Sequence, residues 1–302
     1  MNQLEQLAQT ALESGCEVRY SEPMSLHTTF KIGGPADLFI TVKDVTSAQK
    51  VYRAAWELEF PVLPIGNGSN MLVSDEGIRG AVVALSGEFQ RISIQNEKFL
   101  ICGAGVLLSR VCGFAKMNSL TGLEFAWGIP GAIGGAAFMN AGAYNNEMKS
   151  VLASCTHVTK DGQIVTLPRE ELELGYRHSA YTDNGCMILT AVLELEKGRK
   201  DQIEHAMAEL LDKRVSKQPL ELPSAGSVFK RPAGHFAGSL IEQCGLKGRR
   251  VGGAMVSPKH AGFIVNIGGA TCSDVCSLID VIKETVYKQT GVSLECEVKI
   301  FR

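Results

Sequence analysis

The sequence predicts an α+β protein in two parts, and three observations carry that expectation. Its 302 residues exceed what a single hydrophobic core usually organises. From residue 38 to residue 196, short apolar strand-like runs alternate with turn signals, and helices are few. From residue 201 onward the pattern changes to two long amphipathic helices, with a proline-containing linker between them.

Taken in order, Leu4, Leu7, Ala8, Ala11 and Leu12 fall on one face of a short N-terminal helix. Leu38-Phe39-Ile40-Thr41-Val42 reads as a strand, and Thr46 is expected to cap a helix bearing Val51, Ala54, Ala55 and Leu58. Pro61-Val62-Leu63-Pro64-Ile65 is a strand that runs directly into Gly66, so the unit resembles a mononucleotide-binding start. Strands rather than a helix are expected next, at Met71-Leu72-Val73 and from Gly80 to Leu85. Segments 90–94, 99–102, 156–166 and 186–196 are strand-like, with turns at Lys160-Asp161-Gly162 and Asp183-Asn184-Gly185. A helix is expected over 105–117. Asp201 caps another that runs to Val215, with Ile203, Met207, Leu210 and Leu211 on one face and Pro219 beyond its end.

The linker 217–223 places the boundary between a first domain over 1–215 (core 22–197) and a second over 216–302. In the second, Thr271 or Ser273 starts a helix bearing Val275, Leu278, Ile279, Ile282 and Val286, and Gly291 ends it. Ser293 to Phe301 alternates as a closing strand.

Composition narrows the function. Apolar residues at 45% and charged residues at 21% are ordinary for a folded protein. Thirty basic against 32 acidic residues, net −2, offer no field for nucleic acid or an anionic membrane. No apolar run nears the roughly 18–20 residues that span a bilayer, and the N-terminus reads as a helix rather than a secretory signal. Nine scattered cysteines argue for reduced thiols and a cytoplasmic location. Cys272 and Cys276 lie four apart on a helix without a second ligand pair, so no metal is expected. The expected partners are small molecules, met by a monomer.

Two glycine clusters stand out. One is Gly66-Asn67-Gly68-Ser69-Asn70. The other runs from Trp127 to Tyr144, with glycines at 128, 131, 134, 135 and 142. Glycine in regular structure is disfavoured by roughly 0.5–1 kcal/mol relative to alanine. Dense clusters therefore point to backbone drawn close to a ligand, with phosphate the usual candidate. A dinucleotide fingerprint G-x-G-x-x-G fails because Met71 takes the third place and a strand follows. A Walker loop, H-E-x-x-H and G-x-S-x-G are absent. A strand-bounded loop whose N–H groups form a nest, with Ser69 and Asn70 adding donors, remains.

Three further clusters are polar. Gly175-Tyr176-Arg177-His178-Ser179 reads equally as a solvated turn. Ser224-Ala225-Gly226-Ser227-Val228-Phe229-Lys230-Arg231-Pro232 reads equally as a serine turn. In the closing strand Glu295, Glu297 and Lys299 share one face, and periodicity does not choose between the glutamates.

Seven motifs occur in order: Thr29-Phe30-Lys31-Ile32-Gly33-Gly34-Pro35-Ala36, Gly66-Asn67-Gly68-Ser69-Asn70, Gly128-Ile129-Pro130-Gly131, Asn140-Ala141-Gly142-Ala143-Tyr144, Tyr176-Arg177, Gly226-Ser227-Val228-Phe229-Lys230 and Leu294-Glu295-x-Glu297-Val298. Together they resemble the UDP-N-acetylenolpyruvoylglucosamine reductases, flavoenzymes of bacterial peptidoglycan precursor synthesis. The resemblance implies a two-part FAD-binding domain of the vanillyl-alcohol-oxidase (PCMH) type and a smaller C-terminal α+β substrate domain. It implies bound FAD, with NADPH as co-substrate.

The family's catalytic arginine falls on Arg177, its serine proton donor on Ser227 and its glutamate on Glu297. Cofactor contacts fall on Gly66, Asn67, Gly68, Ser69, Asn70, Gly128, Ile129, Pro130, Gly131, Gly134, Gly135, Asn140 and Gly142. Tyr176, Lys230 and Gln243 are implied as contacts to the UDP-sugar. The spacing of about fifty residues from Arg177 to Ser227 resembles the shorter family type, without an extra tyrosine-bearing loop. Arg231 departs from a frequent Asn, which puts one substrate contact in doubt, and Cys296 departs from a frequent Pro.

The implied reaction passes hydride from flavin N5 to the β-carbon of an enol ether, and charge grows toward the substrate carboxylate. A fixed cation such as Arg177 suits that charge. Ser227, held within about 3 Å of the α-carbon, suits its protonation. Glu297 suits polarisation of the enol ether, as a neutral carboxyl or through a water.

Overall fold

In the computed structural model, which describes all 302 residues, the chain passes repeatedly between two units. One gathers Met1–Glu22, Asp37–Asn67 and Arg79–Asp212. The other gathers Pro23–Ala36, Gly68–Ile78 and Lys213–Arg302. The fold class is α+β, as the sequence predicts.

In the first unit, α1 (Gln3–Glu13) opens on a capping box. Asn2 Oδ1 accepts the Glu5 N–H at 2.8 Å, and the Asn2 N–H donates to the Glu5 carboxylate at 3.0 Å. Helix α2 (Val45–Glu57) is capped by Asp44, not by Thr46. The Asp44 carboxylate accepts the Ser47 N–H at 2.7 Å, and the Ser47 hydroxyl accepts the Asp44 N–H at 3.2 Å. Asp with Ser three residues later makes the reciprocal pair, which leaves Thr46 inside the first turn. Both helices pack Leu7, Ala11, Val51 and Tyr52 against Leu38, Ile40, Val42, Ala81 and Val83 of a four-stranded sheet. Its strand order is Glu17–Pro23, Pro35–Val42, Ile78–Leu85, Val62–Ile65.

A second, antiparallel sheet runs in the order Ile164–Pro168, Leu152–Val158, Met187–Glu194, Phe99–Gly103, Ile92–Gln95. The strand-like stretch 156–166 is therefore a hairpin, turned at Lys160-Asp161-Gly162 with Gly162 at φ +83°. Helices α3 (Leu108–Met117), α4 (Ile133–Phe138) and α5 (Lys200–Lys217) complete the order up to the second unit, which the chain re-enters within α5. Helix α4 lies inside the second glycine run, where glycine density alone predicts close-packed loop. Ile133, Ala136 and Ala137 at i, i+3 and i+4 are all buried, and that apolar face outweighs the glycines.

The second unit is built on α6 (Ala237–Gln243) and α7 (Cys272–Thr290). Of the two expected starts, Thr271 and not Ser273 caps α7: its hydroxyl accepts the Asp274 N–H, and Asp274 accepts the Thr271 N–H, both at 3.0 Å. Gly291 ends the helix at φ +72°. The stripe Val275, Leu278, Ile279, Ile282 and Val286 is buried in one core with Ala254, Val256 and Ile264 of a three-stranded antiparallel sheet.

The expected closing strand shrinks to Lys299–Phe301, which pairs in parallel with Met71–Val73. Upstream only an isolated bridge joins Cys296 to Phe229. Side chains bind the early segments into this unit. Asn266 donates to the Phe30 carbonyl at 3.1 Å, and Thr29 donates to the Ser224 carbonyl at 2.7 Å. The Asp75 carboxylate accepts the Cys272 and Ser273 N–H groups at 2.7 and 3.0 Å, at the start of α7.

All nine cysteines are free thiols, and burial pushes those of Cys102, Cys112 and Cys155 up to about 12. No helix is long and apolar enough to cross a membrane.

Two measurements check this packing. Gly77 has φ +84°, and a Cβ there would overlap the Pro35 carbonyl. Gly77→Ala should therefore lower unfolding free energy by more than about 2 kcal/mol in denaturant titration. His157, buried with its Nδ1 3.2 Å from the Tyr181 hydroxyl, has a pKa lowered by burial from 6.5. The unfolded chain takes the proton first, so this contribution is full above pH 6.5 and declines as pH falls below it. Denaturant midpoints across that range should show the decline, and His157→Gln should make it shallower.

Candidate active site

Within the first unit, Gly66 and Asn67 of the first glycine run meet the second run. The Asn67 side-chain amide donates to the Pro130 carbonyl, and a Cβ on Gly66 would lie 3.7 Å from that of Ala132 and 3.9 Å from the Gly135 nitrogen. Residues 104–108 brace the second run: Leu108 donates to Gly131 at 2.9 Å, Ile133 to Val106 at 2.8 Å and Gly134 to Ala104 at 2.9 Å. A Cβ on Gly134 would press on Ala104, whereas one on exposed Gly135 would meet no protein atom within 4 Å. Gly128, Ile129, Pro130 and Gly131 carry no charge, and residues 66–67 and 128–135 hold no acidic side chain. Glycine-rich main chain with open space over Gly135, free of competing carboxylates, suits the pyrophosphate of a dinucleotide such as FAD. Gly68, Ser69 and Asn70 belong to the other unit, where the Gly68 carbonyl accepts the Thr29 N–H at 3.2 Å.

Arg177 sits on a four-residue turn closed by two backbone bonds, from Gly175 to His178 at 3.1 Å and back at 3.2 Å. Its φ is +55°, at a turn position that glycine ordinarily takes. Buried Leu172, Leu174 and Ser179 flank the turn. The Ser179 hydroxyl donates to the Phe138 carbonyl at 2.7 Å, so the hairpin is moored to the end of α4. The guanidinium lies 5.0 Å from the Tyr176 ring and 3.4 Å from the Gly142 carbonyl. Tyr176 itself is exposed.

In the second unit, Ser227 precedes Val228, whose side chain is fully buried. The Val228 N–H donates to Gly262 at 2.9 Å. Its carbonyl accepts both the Glu297 N–H at 2.7 Å and the Val298 N–H at 3.3 Å. Two residues facing one make a β-bulge. Asn70 adds a bond from its side chain to the Glu297 carbonyl at 3.1 Å, and the Asn70 carbonyl accepts the Lys299 N–H at 3.1 Å. The loop backing Ser227 is held by His260, whose Nδ1 accepts the Gly262 N–H at 3.1 Å. That nitrogen is therefore unprotonated, and burial, which lowers the His260 pKa from 6.5, favours this form.

The remaining expected contacts lie around this core. Lys230 forms an ion pair with exposed Glu295, while Glu297 is half-buried. Gln243 is exposed at the end of α6. Arg231 stacks on Phe236 at 4.0 Å. The bridge at Cys296 uses bonds from Lys230 to Glu295 and from Glu297 to Val228, and neither engages the Cys296 N–H. Cysteine in place of proline thus changes no ladder bond here. Sequence reasoning missed that the side chains of Asn70 and Asn140 hold the backbone of the Glu297 segment and of the Gly175–His178 turn. Their partners are remote in sequence, and no local pattern marks them.

Comparison with known proteins follows the same lines. A family described as an FAD binding domain matches residues 36–168, and one described as the C-terminal domain of UDP-N-acetylenolpyruvoylglucosamine reductase matches 218–301. A protein of that name from Agathobacter rectalis is 49% identical over 290 residues, covering 92% of each chain. One from Clostridium tetani is 48% identical over 283 residues, covering 94% of this chain and 92% of the relative. The crystal structure of the Thermus caldophilus reductase superposes with a TM-score of 0.82 at 36% identity, over 95% of this chain and 99% of that one. Berberine bridge enzyme, at 12% identity and a TM-score of 0.50 over 66% of this chain, shares the fold alone.

The Arg177 backbone yields a stability test. An L-residue in the left-handed region is disfavoured by roughly 1–2 kcal/mol, and glycine is not. Arg177→Gly and Arg177→Ala lose the guanidinium equally, so their comparison isolates the backbone. Urea unfolding should find the glycine variant the more stable by up to about 1 kcal/mol, after its larger unfolded-state entropy is counted. A more stable alanine variant would contradict the strain.

Proposed function

The chain belongs to the UDP-N-acetylenolpyruvoylglucosamine reductase family, and from that premise we propose that it uses NADPH to reduce the enolpyruvyl ether of UDP-N-acetylglucosamine to UDP-N-acetylmuramate. It is an FAD-dependent oxidoreductase of peptidoglycan precursor synthesis. Bound FAD, held by the main chain of the two glycine runs, would supply hydride transfer between NADPH and the enol ether.

The chain's own residues handle charge and the proton. Arg177 offers a permanent cation to the substrate carboxylate, where negative charge grows during reduction. Ser227 delivers the proton to the α-carbon from its hydroxyl. Glu297 polarises the enol ether through a protonated carboxyl or a water. The observation that carries this reading is the shared anchorage of Ser227 and Glu297 on Val228, with the Glu297 N–H 2.7 Å from the Val228 carbonyl. A proton donor and a carboxyl on adjacent, hydrogen-bonded backbone are held in register without help from flexible loops.

Tyr176, Lys230 and Gln243 are assigned to the UDP-sugar. Lys230 would then exchange its Glu295 partner for diphosphate, a charge-for-charge replacement. FAD binding is assigned to residues 1–215 and substrate binding to 216–302.

Stopped-flow absorbance separates the two half-reactions. In Ser227→Ala, reduction of the flavin by NADPH should proceed at close to the parental rate. Reoxidation by the enolpyruvyl sugar should slow by roughly 10²- to 10⁴-fold, the range for loss of a positioned acid. Equal slowing of both halves would remove Ser227 from the proton-transfer role.

A further inference from the structure

Asn140 lies in the second glycine run, yet its side chain is fully buried and engaged with protein. Nδ2 donates to the Gly175 carbonyl at 2.9 Å, and Oδ1 accepts the Lys149 N–H at 2.8 Å. Its own φ is +42°, a left-handed conformation that asparagine adopts more readily than most residues. Gly175 opens the turn that carries Arg177. That turn holds a non-glycine residue at φ +55°, so its backbone needs support from outside. Two bonds from the hairpin's base to the end of α4 supply it: Asn140 to Gly175, and Ser179 to Phe138 at 2.7 Å. Serine at 140 would lack the reach, and aspartate would lack the donor and set a second oxygen against the Gly175 carbonyl.

We infer that Asn140 is a positioning residue for Arg177, its buried amide holding the Gly175–His178 turn in the strained conformation that presents the guanidinium. The inference rests on the assignment of Arg177 to the substrate carboxylate and adds to it the residue that fixes where that cation stands. The side chain of Asn140 then acts on catalysis through Arg177 and not through the cofactor.

The test is a double-mutant cycle on the purified holoenzyme, with Asn140→Asp and Arg177→Ala alone and combined. The readouts are flavin content, reoxidation of the reduced enzyme by the enolpyruvyl sugar, and amide hydrogen exchange over residues 172–180. Asn140→Asp should keep its flavin, speed exchange in 172–180 and slow reoxidation at least about 10-fold. In the Arg177→Ala background the same change should slow it by less than about 2-fold, because residues acting as a unit are non-additive.

Multiplying effects, loss of flavin or unchanged exchange in 172–180 would each overturn the inference. An Arg177→Ala enzyme with undiminished reoxidation would instead sink the role of Arg177, a separate outcome. Should Asn140→Asp fail to fold, Asn140→Gly keeps the positive φ and removes the side chain, and the same comparisons decide.

Discussion

The carbonyl oxygen of Val228 accepts two N–H groups, from Glu297 at 2.7 Å and Val298 at 3.3 Å, and the placement of Ser227 and Glu297 in the second unit depends on that shared acceptor. One acceptor serving two successive donors forces a bulge, and a bulge turns side chains away from strict alternation. Val228 can play this part because its side chain is wholly buried and its N–H is paired to Gly262. Burying a valine contributes about 1.5–3 kcal/mol, and leaving its carbonyl unpaired in the core would cost about 1–3 kcal/mol. Core packing and hydrogen bonding therefore hold the same residue, and Ser227 on one side and Glu297 on the other inherit its position.

The same logic extends into the chain's early segments. Residues 68–78 enter the second unit as the partner of its last strand, Met71–Val73 beside Lys299–Phe301. Asn70 precedes that strand and bonds both the Glu297 carbonyl and the Lys299 N–H. Asp75 follows it and receives the first two N–H groups of α7. A short parallel pair would be weak alone. Bracketed by a side-chain bond at one end and a helix terminus at the other, it ties the segment carrying Glu297 to a helix core. The glycines at 34 and 77 permit the close passage: a Cβ on Gly34 would collide with the Asp75 backbone and one on Gly77 with Pro35.

How much of this was legible depended on whether a feature is local in sequence. Thr271 and Gly291 mark α7 because a capping box and a left-handed stop are local devices. Thr46 was the wrong cap because Asp44 with Ser47 makes the stronger reciprocal pair, a signal present in the sequence and outweighed by the first apolar-periodic residue. Helix α4 was also readable, from Ile133, Ala136 and Ala137, but the glycines around it pointed to a loop.

The bulge at Glu297 left no trace, since Ser293 to Phe301 alternates as an unbroken strand would. For the site, Arg177, Ser227 and Glu297 were selected by the order of seven motifs. The residue patterns alone fit a solvated turn, a serine turn and a charged strand face. The Asn140 side chain is a further case, because its partner Gly175 lies 35 residues away, where no local pattern reaches.

The strain at Arg177 has a functional logic that follows from the anchors around it. A guanidinium is most effective when the backbone beneath it does not move as charge develops, because reorganisation at that moment would be paid out of transition-state stabilisation. A relaxed turn with an arginine at negative φ would reach other conformations freely. Here Leu172 and Leu174 are buried on one side, Ser179 is bonded to Phe138 on the other, and Asn140 holds Gly175, so the turn is anchored at both ends. Strain of roughly 1–2 kcal/mol at one residue is small beside what several buried anchors supply. The left-handed conformation is then what directs the side chain, and the bonds that enforce it act on the backbone of the turn rather than on the guanidinium itself.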